Sequence, residues 1–145
     1  MKVSKTKING LIIIEPKVFS DSRGYFFEPY NKIEFEKHFG NIEFVQDNES
    51  KSKKGVLRGL HFQKPPFEQA KLVRCIDGKV LDVAVDIRKN SKTYGQYEAV
   101  ELSGENKRQL YIPRGFAHGF LVLSDSAILA YKVDNKYEPS CDVGI

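Results

Sequence analysis

The stretch that most limits how this chain can fold lies between residues 79 and 88. Leu81, Val83, Val85 and Ile87 alternate there with Asp82, Ala84, Asp86 and Arg88, the period of two that sends successive side chains to opposite faces of a strand. The spacing predicts a half-buried strand with the Leu/Val/Ile face in the core and the aspartates on a polar face. Comparable runs follow at 96–102, 108–112, 120–123 and 127–133, and precede it at 10–15, 24–30, 42–46 and 56–61. Clusters of Gly, Pro, Ser, Asp and Asn separate them, as tight connections require. Many short strands at this spacing predict an all-β sandwich or barrel.

One helix is expected, over 32–39. Asn31 can cap it, Glu34 stands at the third helical position of a capping box, and Gly40 supplies a left-handed stop. Phe35 and Phe39, four apart, meet on its buried side. No repeat, low-complexity segment or linker interrupts the 145 residues, so a single domain over 1–145 is expected.

Several function classes fall away on composition. The longest apolar run, residues 11–14, is far short of the roughly 20 residues a membrane helix needs, which points to no membrane partner and to the cytoplasm. Lys and Arg number 23 against 19 Asp and Glu, giving +4 with the two signs interleaved. That balance suits a small anionic ligand better than nucleic acid, which calls for a denser basic stripe. The cluster Lys51, Lys53, Lys54 beside Glu49 reads as a solvated loop. Cys75 and Cys141 lack the spacing of a zinc or redox pair and read as free thiols.

Polar groups concentrate at Arg58-Gly59-Leu60-His61-Phe62-Gln63 and, after a Pro65-Pro66 turn, at Lys71. In a regular strand Arg58 and His61 diverge to opposite faces unless a bulge near Gly59 re-aims one of them. Lys71, between Ala70 and Leu72, begins the next strand; a lysine inside a barrel mouth needs an anionic partner. Of the three histidines, His38 falls on the solvated face of the helix. His118 opens a strand after a turn and is either a structural or a ligand-contacting residue, and His61 is the candidate base. Barrels that hold a divalent cation often carry His-x-His, but position 63 is Gln, so no metal site is expected. Tyr25, Phe26, Phe27 and Tyr30 cluster around Arg23-Gly24; part of this set is core, and the rest is free to stack on a base. Arg23 is either a turn cation or a phosphate fork.

The segments at 19–28, 56–63, 82–88, 102–106 (Leu102-Ser103-Gly104-Glu105-Asn106) and 112–120 (Ile112-Pro113-Arg114-Gly115-Phe116-Ala117-His118-Gly119-Phe120) closely resemble the dTDP-4-dehydrorhamnose 3,5-epimerase family, in order and over nearly the whole chain. The resemblance implies a cupin-type antiparallel β-barrel, a jelly roll. It implies a cofactor-free homodimer with N-terminal strand exchange that inverts C3 and C5 of a dTDP-4-keto-6-deoxyhexose for dTDP-rhamnose biosynthesis. It casts His61 as the base, Tyr131 as the acid on the opposite face and Lys71 as the group at the 4-keto oxygen. Arg58 and His118 become pocket contacts, Arg23 a diphosphate contact, Phe26, Glu28 and Gln46 neighbours of the nucleotide, some from the partner subunit, and Tyr137 a flank of the nucleotide. The chemistry is consistent: a carbon acid beside a ketone lies more than roughly ten pKa units above a histidine near 6.5, so the enolate needs a cation where its charge develops.

One departure accompanies the match. In that family the chain runs on into a segment whose aspartate partners the catalytic histidine, and nothing in 138–145 matches it; Asp142 comes too early. A sequence lacking that C-terminal segment is therefore the expectation. The alternatives are a homologue with another partner for His61, or an impaired nucleotide-sugar-binding cupin. Epimerisation at one carbon, or of another nucleotide 4-keto sugar, is the neighbouring possibility.

Overall fold

In the computed structural model, which describes residues 1–145, the chain runs through β1 (Lys2–Lys5), β2 (Ile12–Glu15), β3 (Val18–Asp21), β4 (Gly24–Phe27), α1 (Lys32–Phe39), β5 (Gln46–Lys53), β6 (Leu57–Gln63), β7 (Lys71–Asp77), β8 (Lys79–Asp86), β9 (Tyr97–Ser103), β10 (Gln109–Ile112), β11 (Phe116–Val122), β12 (Ser126–Val133) and β13 (Asp142–Gly144). Two antiparallel sheets form, ordered β1-β2-β10-β7-β12-β5 and β13-β6-β11-β8-β9, while β3 and β4 pair only with each other. Neighbours in each sheet are mostly distant in sequence, the crossing pattern of a jelly roll. The main core lies between the sheets and includes Val73, Val80, Ala84, Leu102, Leu110, Phe120, Val122 and Leu129.

Helix α1 occupies the expected residues. Asn31 Oδ1 accepts from the Glu34 amide at 3.2 Å, and Gly40 takes φ 73°. The capping box is only half made, because the Glu34 carboxylate turns to Lys37 instead, 2.7 Å away. Phe35 and Phe39 stack at 4.3 Å and cover Ile14, Leu72 and Tyr111 on the outer face of the six-stranded sheet, with Tyr30 and Phe44 alongside. Burying the Phe35 ring this fully stabilises the fold by roughly 1.5–3 kcal/mol.

Three sequence readings are corrected. β8 forms, but with its faces exchanged: Val80, Asp82, Ala84 and Asp86 are buried, and Leu81, Val83 and Val85 lie half-exposed on the outside. Alternation locates the two faces without saying which is inner, and here the interior supplies partners for both aspartates. The expected strand at 42–46 is irregular. The strand begins at Gln46 and continues through the charged stretch read as a loop. As an edge strand, β5 wets its outer charges, so no apolar alternation marks it. Finally, β11 starts at Phe116, which puts His118 inside a strand rather than at its opening.

Candidate active site

β6 carries Arg58 and His61, three residues apart, yet both side chains enter one cavity. The reason is the ladder with β11: His118 pairs with His61 and Phe120 with Arg58, so two residues of β6 oppose Gly119 alone. This bulge restores Arg58 and His61 to one face. Gly59 is required there, at φ 100°, because a Cβ would stand 2.5 Å from the His118 carbonyl oxygen and 2.7 Å from Gly119 Cα.

The cavity measures about 550 Å³ and lies between the sheets. His61, Arg58 and His118 reach it from the five-stranded sheet, Lys71 and Tyr131 from the six-stranded one, and Tyr137 and Asp142 from the C-terminal segment. Lys71 Nζ stands 5.6 Å from the centre of the Tyr131 ring, which in turn meets the His118 ring edge-on at 6.3 Å. Arg58 Nε donates to Ser52 Oγ at 2.9 Å, which leaves its terminal nitrogens for a ligand. Beside the His61 ring the backbone is Gly144, whose missing Cβ would lie 3.8 Å from Nδ1.

Burial governs the charges here. It brings the Lys71 ammonium down to about 8, against the support of Asp82 and then Asp142. It pushes the Tyr131 phenol up, with Arg58 opposing, so the phenol holds its proton at neutral pH. The arrangement sets an imidazole and a protonated phenol on facing sheets with an ammonium beside the phenol, a set suited to moving protons on two sides of a bound ring.

Other expected residues lie elsewhere in the chain. Arg23 sits at the tip of the β3–β4 hairpin, its guanidinium on Asp21 at 2.7 Å and largely in solvent. Phe26 on the same hairpin is 66% exposed. Glu28 accepts from Asn31 Nδ2 at 2.8 Å, and Gln46 donates to Asn48 at 2.8 Å. None of these four lines the cavity of its own chain. Gln63 is structural: its amide nitrogen donates to the carbonyls of Phe67 and Lys136, and its oxygen accepts from the Glu138 amide. Nowhere do three or more His, Cys, Asp or Glu side chains converge.

Sequence reasoning missed Asp82, which is wholly buried with Oδ1 2.8 Å from His118 Nε2. Its Oδ2 has no hydrogen-bond partner in the chain. The signal in the sequence is an aspartate on one alternating face of β8, a face that hydrophobicity alone sends to the polar outside.

A profile of the family described as dTDP-4-dehydrorhamnose 3,5-epimerase matches residues 5–145. The chain belongs to this family. Among its relatives, the dTDP-4-dehydrorhamnose 3,5-epimerase of Salmonella typhimurium is 60% identical over 146 residues, covering 100% of this chain and 80% of that protein. The crystal structure of dTDP-6-deoxy-D-glucose-3,5-epimerase from Legionella pneumophila, in complex with dTDP-4-keto-L-rhamnose, superposes with a TM-score of 0.96 at 52% identity and covers 99% of this chain and 77% of that one. ChmJ, a 3'-monoepimerase from Streptomyces bikiniensis solved with dTDP-quinovose, gives 0.90 at 35% identity over 97% of this chain and 71% of that one. The family's cupin-type jelly roll is the fold seen here. No helix of the chain is long and apolar enough to cross a membrane.

Proposed function

We propose that this chain is an isomerase that inverts C3 and C5 of dTDP-4-keto-6-deoxyglucose, the epimerisation of dTDP-L-rhamnose biosynthesis, in the cytoplasm and as a single domain over 1–145. The observation that carries this reading is that His61 and Tyr131, on strands of opposed sheets, line one cavity with Lys71 beside them. His61 removes the proton from the carbon next to the ketone, and the electron pair moves onto the ketone oxygen. The Lys71 ammonium offsets that charge, a contribution of about 3–4 kcal/mol when a site donor is already in place. Tyr131 delivers its phenolic proton to the other face of the same carbon, the ketone re-forms, and the imidazolium and phenolate return to their starting states by exchange with water. A second cycle at the other carbon completes the reaction. Arg58 and His118 hold the sugar and its diphosphate, and Tyr137 flanks the nucleotide.

The nucleotide end is completed by Arg23, Phe26, Glu28 and Gln46 in a homodimer that exchanges its N-terminal strands. Two features support this. The β3–β4 hairpin carries Arg23 and Phe26 away from its own cavity, exposed on both faces. The outer face of the five-stranded sheet also presents apolar cross-strand pairs, Leu57 with Leu121, Leu121 with Leu81, and Val85 with Tyr97.

The deciding experiment is incubation with dTDP-4-keto-6-deoxyglucose in heavy water, read by NMR. Deuterium at C3 and C5 with inversion at both is expected, and His61→Asn abolishes it. Absence of exchange at both carbons overturns the reading. The likeness to ChmJ favours a second reading, inversion at one carbon, for which label enters at a single position.

A further inference from the structure

An isolated pair of four-residue strands is marginal in water, yet β3 and β4 pair with neither large sheet. Their side chains are almost all exposed. The cation that reaches them from elsewhere in the chain is Lys107, whose Nζ lies 3.7 Å from the centre of the Tyr25 ring and 5.5 Å from that of Phe27; Lys17, at the hairpin's own base, lies 5.0 Å from the Phe19 ring. The Lys107 ammonium also donates to the Gly104 carbonyl at 2.5 Å.

Lys107 is mounted on a built turn. Ser103 and Asn106 bond reciprocally, the Ser103 amide to Asn106 Oδ1 at 3.0 Å and the Asn106 amide to Ser103 Oγ at 2.8 Å, while Asn106 Nδ2 donates to the Glu101 carbonyl. Gly104 admits no side chain, since a Cβ would stand 2.5 Å from the Ile76 carbonyl oxygen. The turn also carries Lys107 itself at φ 53°, where it is the chain's one non-glycine residue with positive φ. That conformation disfavours lysine, and here it aims the side chain at the hairpin.

We propose that Lys107 is a positioning residue for nucleotide binding: its ammonium fixes the β3–β4 hairpin by cation–π contact, and so sets where Arg23 and Phe26 are presented. This rests on the reading that the hairpin binds the nucleotide. An exposed cation–π contact accounts for about a two- to fivefold change in an equilibrium, and a more desolvated one for tenfold or more.

The test measures hydrogen exchange across residues 17–28 and the dissociation constant for dTDP in the full chain. Lys107→Met and Lys107→Asn, the latter at ease with positive φ and so preserving the turn, are expected to speed hairpin exchange and weaken dTDP two- to tenfold. Lys107→Arg, which keeps the cation, restores both. Exchange at the unmodified rate in Lys107→Met or Lys107→Asn overturns the inference. So does unchanged dTDP affinity in these variants while Arg23→Ala weakens it. Unchanged affinity in Arg23→Ala instead removes the underlying reading of the hairpin.

Discussion

His118 Nε2 donates to Asp82 Oδ1 at 2.8 Å with both side chains almost entirely out of water. A carboxylate can only accept, so the pairing fixes which ring nitrogen carries the proton in neutral His118. Asp82 is also the carboxylate that most supports the Lys71 charge. Asp82→Asn therefore acts at two points. The Lys71 ammonium loses its proton at lower pH, moving the alkaline limb of the pH–rate profile toward acid, and His118 loses a charge-assisted partner at about 1–3 kcal/mol of stability. Urea unfolding together with a pH–rate profile checks both; an unmoved limb uncouples Asp82 from Lys71.

Lys71 itself sets a pH prediction. Its ammonium is present below about 8 and lost above it, so solvent-deuterium exchange into substrate is expected to decline through that pH. Lys71→Arg, charged throughout, removes this decline, and Lys71→Met lowers exchange by about 10²–10³. A Lys71→Arg profile that still turns down near 8 shows another group to be responsible. For folding, the unfolded chain keeps this proton to its ordinary range, so the Lys71 contribution to stability rises between about 8 and roughly 10.4.

Tyr131→Phe separates the two halves of the reaction. With the phenolic proton gone and His61 intact, the substrate is expected to exchange its ring hydrogens on the original face, while inverted product falls by about 10²–10⁴. Inversion at the unmodified rate removes Tyr131 from the acid's role.

Gly59→Ala tests the bulge. The added methyl meets the backbone of both His118 and Gly119, so β6 must shift, and a loss of about 2–4 kcal/mol in stability with a collapse of activity is expected. An unchanged melting temperature would show that the ladder adapts around this position.

Asp86 governs acid stability. Burial opposes its ionisation, but hydrogen bonds from Arg88, Ser91 and Thr93 outweigh it and hold the carboxyl far below the usual range. A depressed carboxyl contributes stability above its unfolded pKa near 3.9 and loses it as the pH falls toward the folded value. Asp86→Asn is expected to lower the urea midpoint at pH 7 and to flatten its decline below pH 4. A decline as steep as the unmodified protein's assigns the acid sensitivity to other groups.

The local elements were legible because local chemistry decides them: a cap and a stop bound α1, and turn residues bound most of the strands. The grouping of His61, Lys71 and Tyr131 was reached through the family's motifs, not through periodicity, which by itself sent Arg58 and His61 to opposite faces. What the residues alone misassigned was the inner face of β8, the extent of β5 and the start of β11, which holds His118 within the strand. Hydrophobicity marks the inside only where the inside is apolar, and this barrel encloses a polar cavity.

The amino-acid order thus determined an all-β chain with one capped helix, together with the residue types needed for proton transfer beside a ketone. Only the tertiary structure decided that Asp82 faces inward to His118, that a bulge at Gly59 brings Arg58 and His61 to one wall, and that the β3–β4 hairpin stands apart from its own cavity. The first two depend on contacts between strands distant in sequence, and the third on the absence of any such pairing; partner and register follow from the packing of two sheets, and no local pattern specifies them.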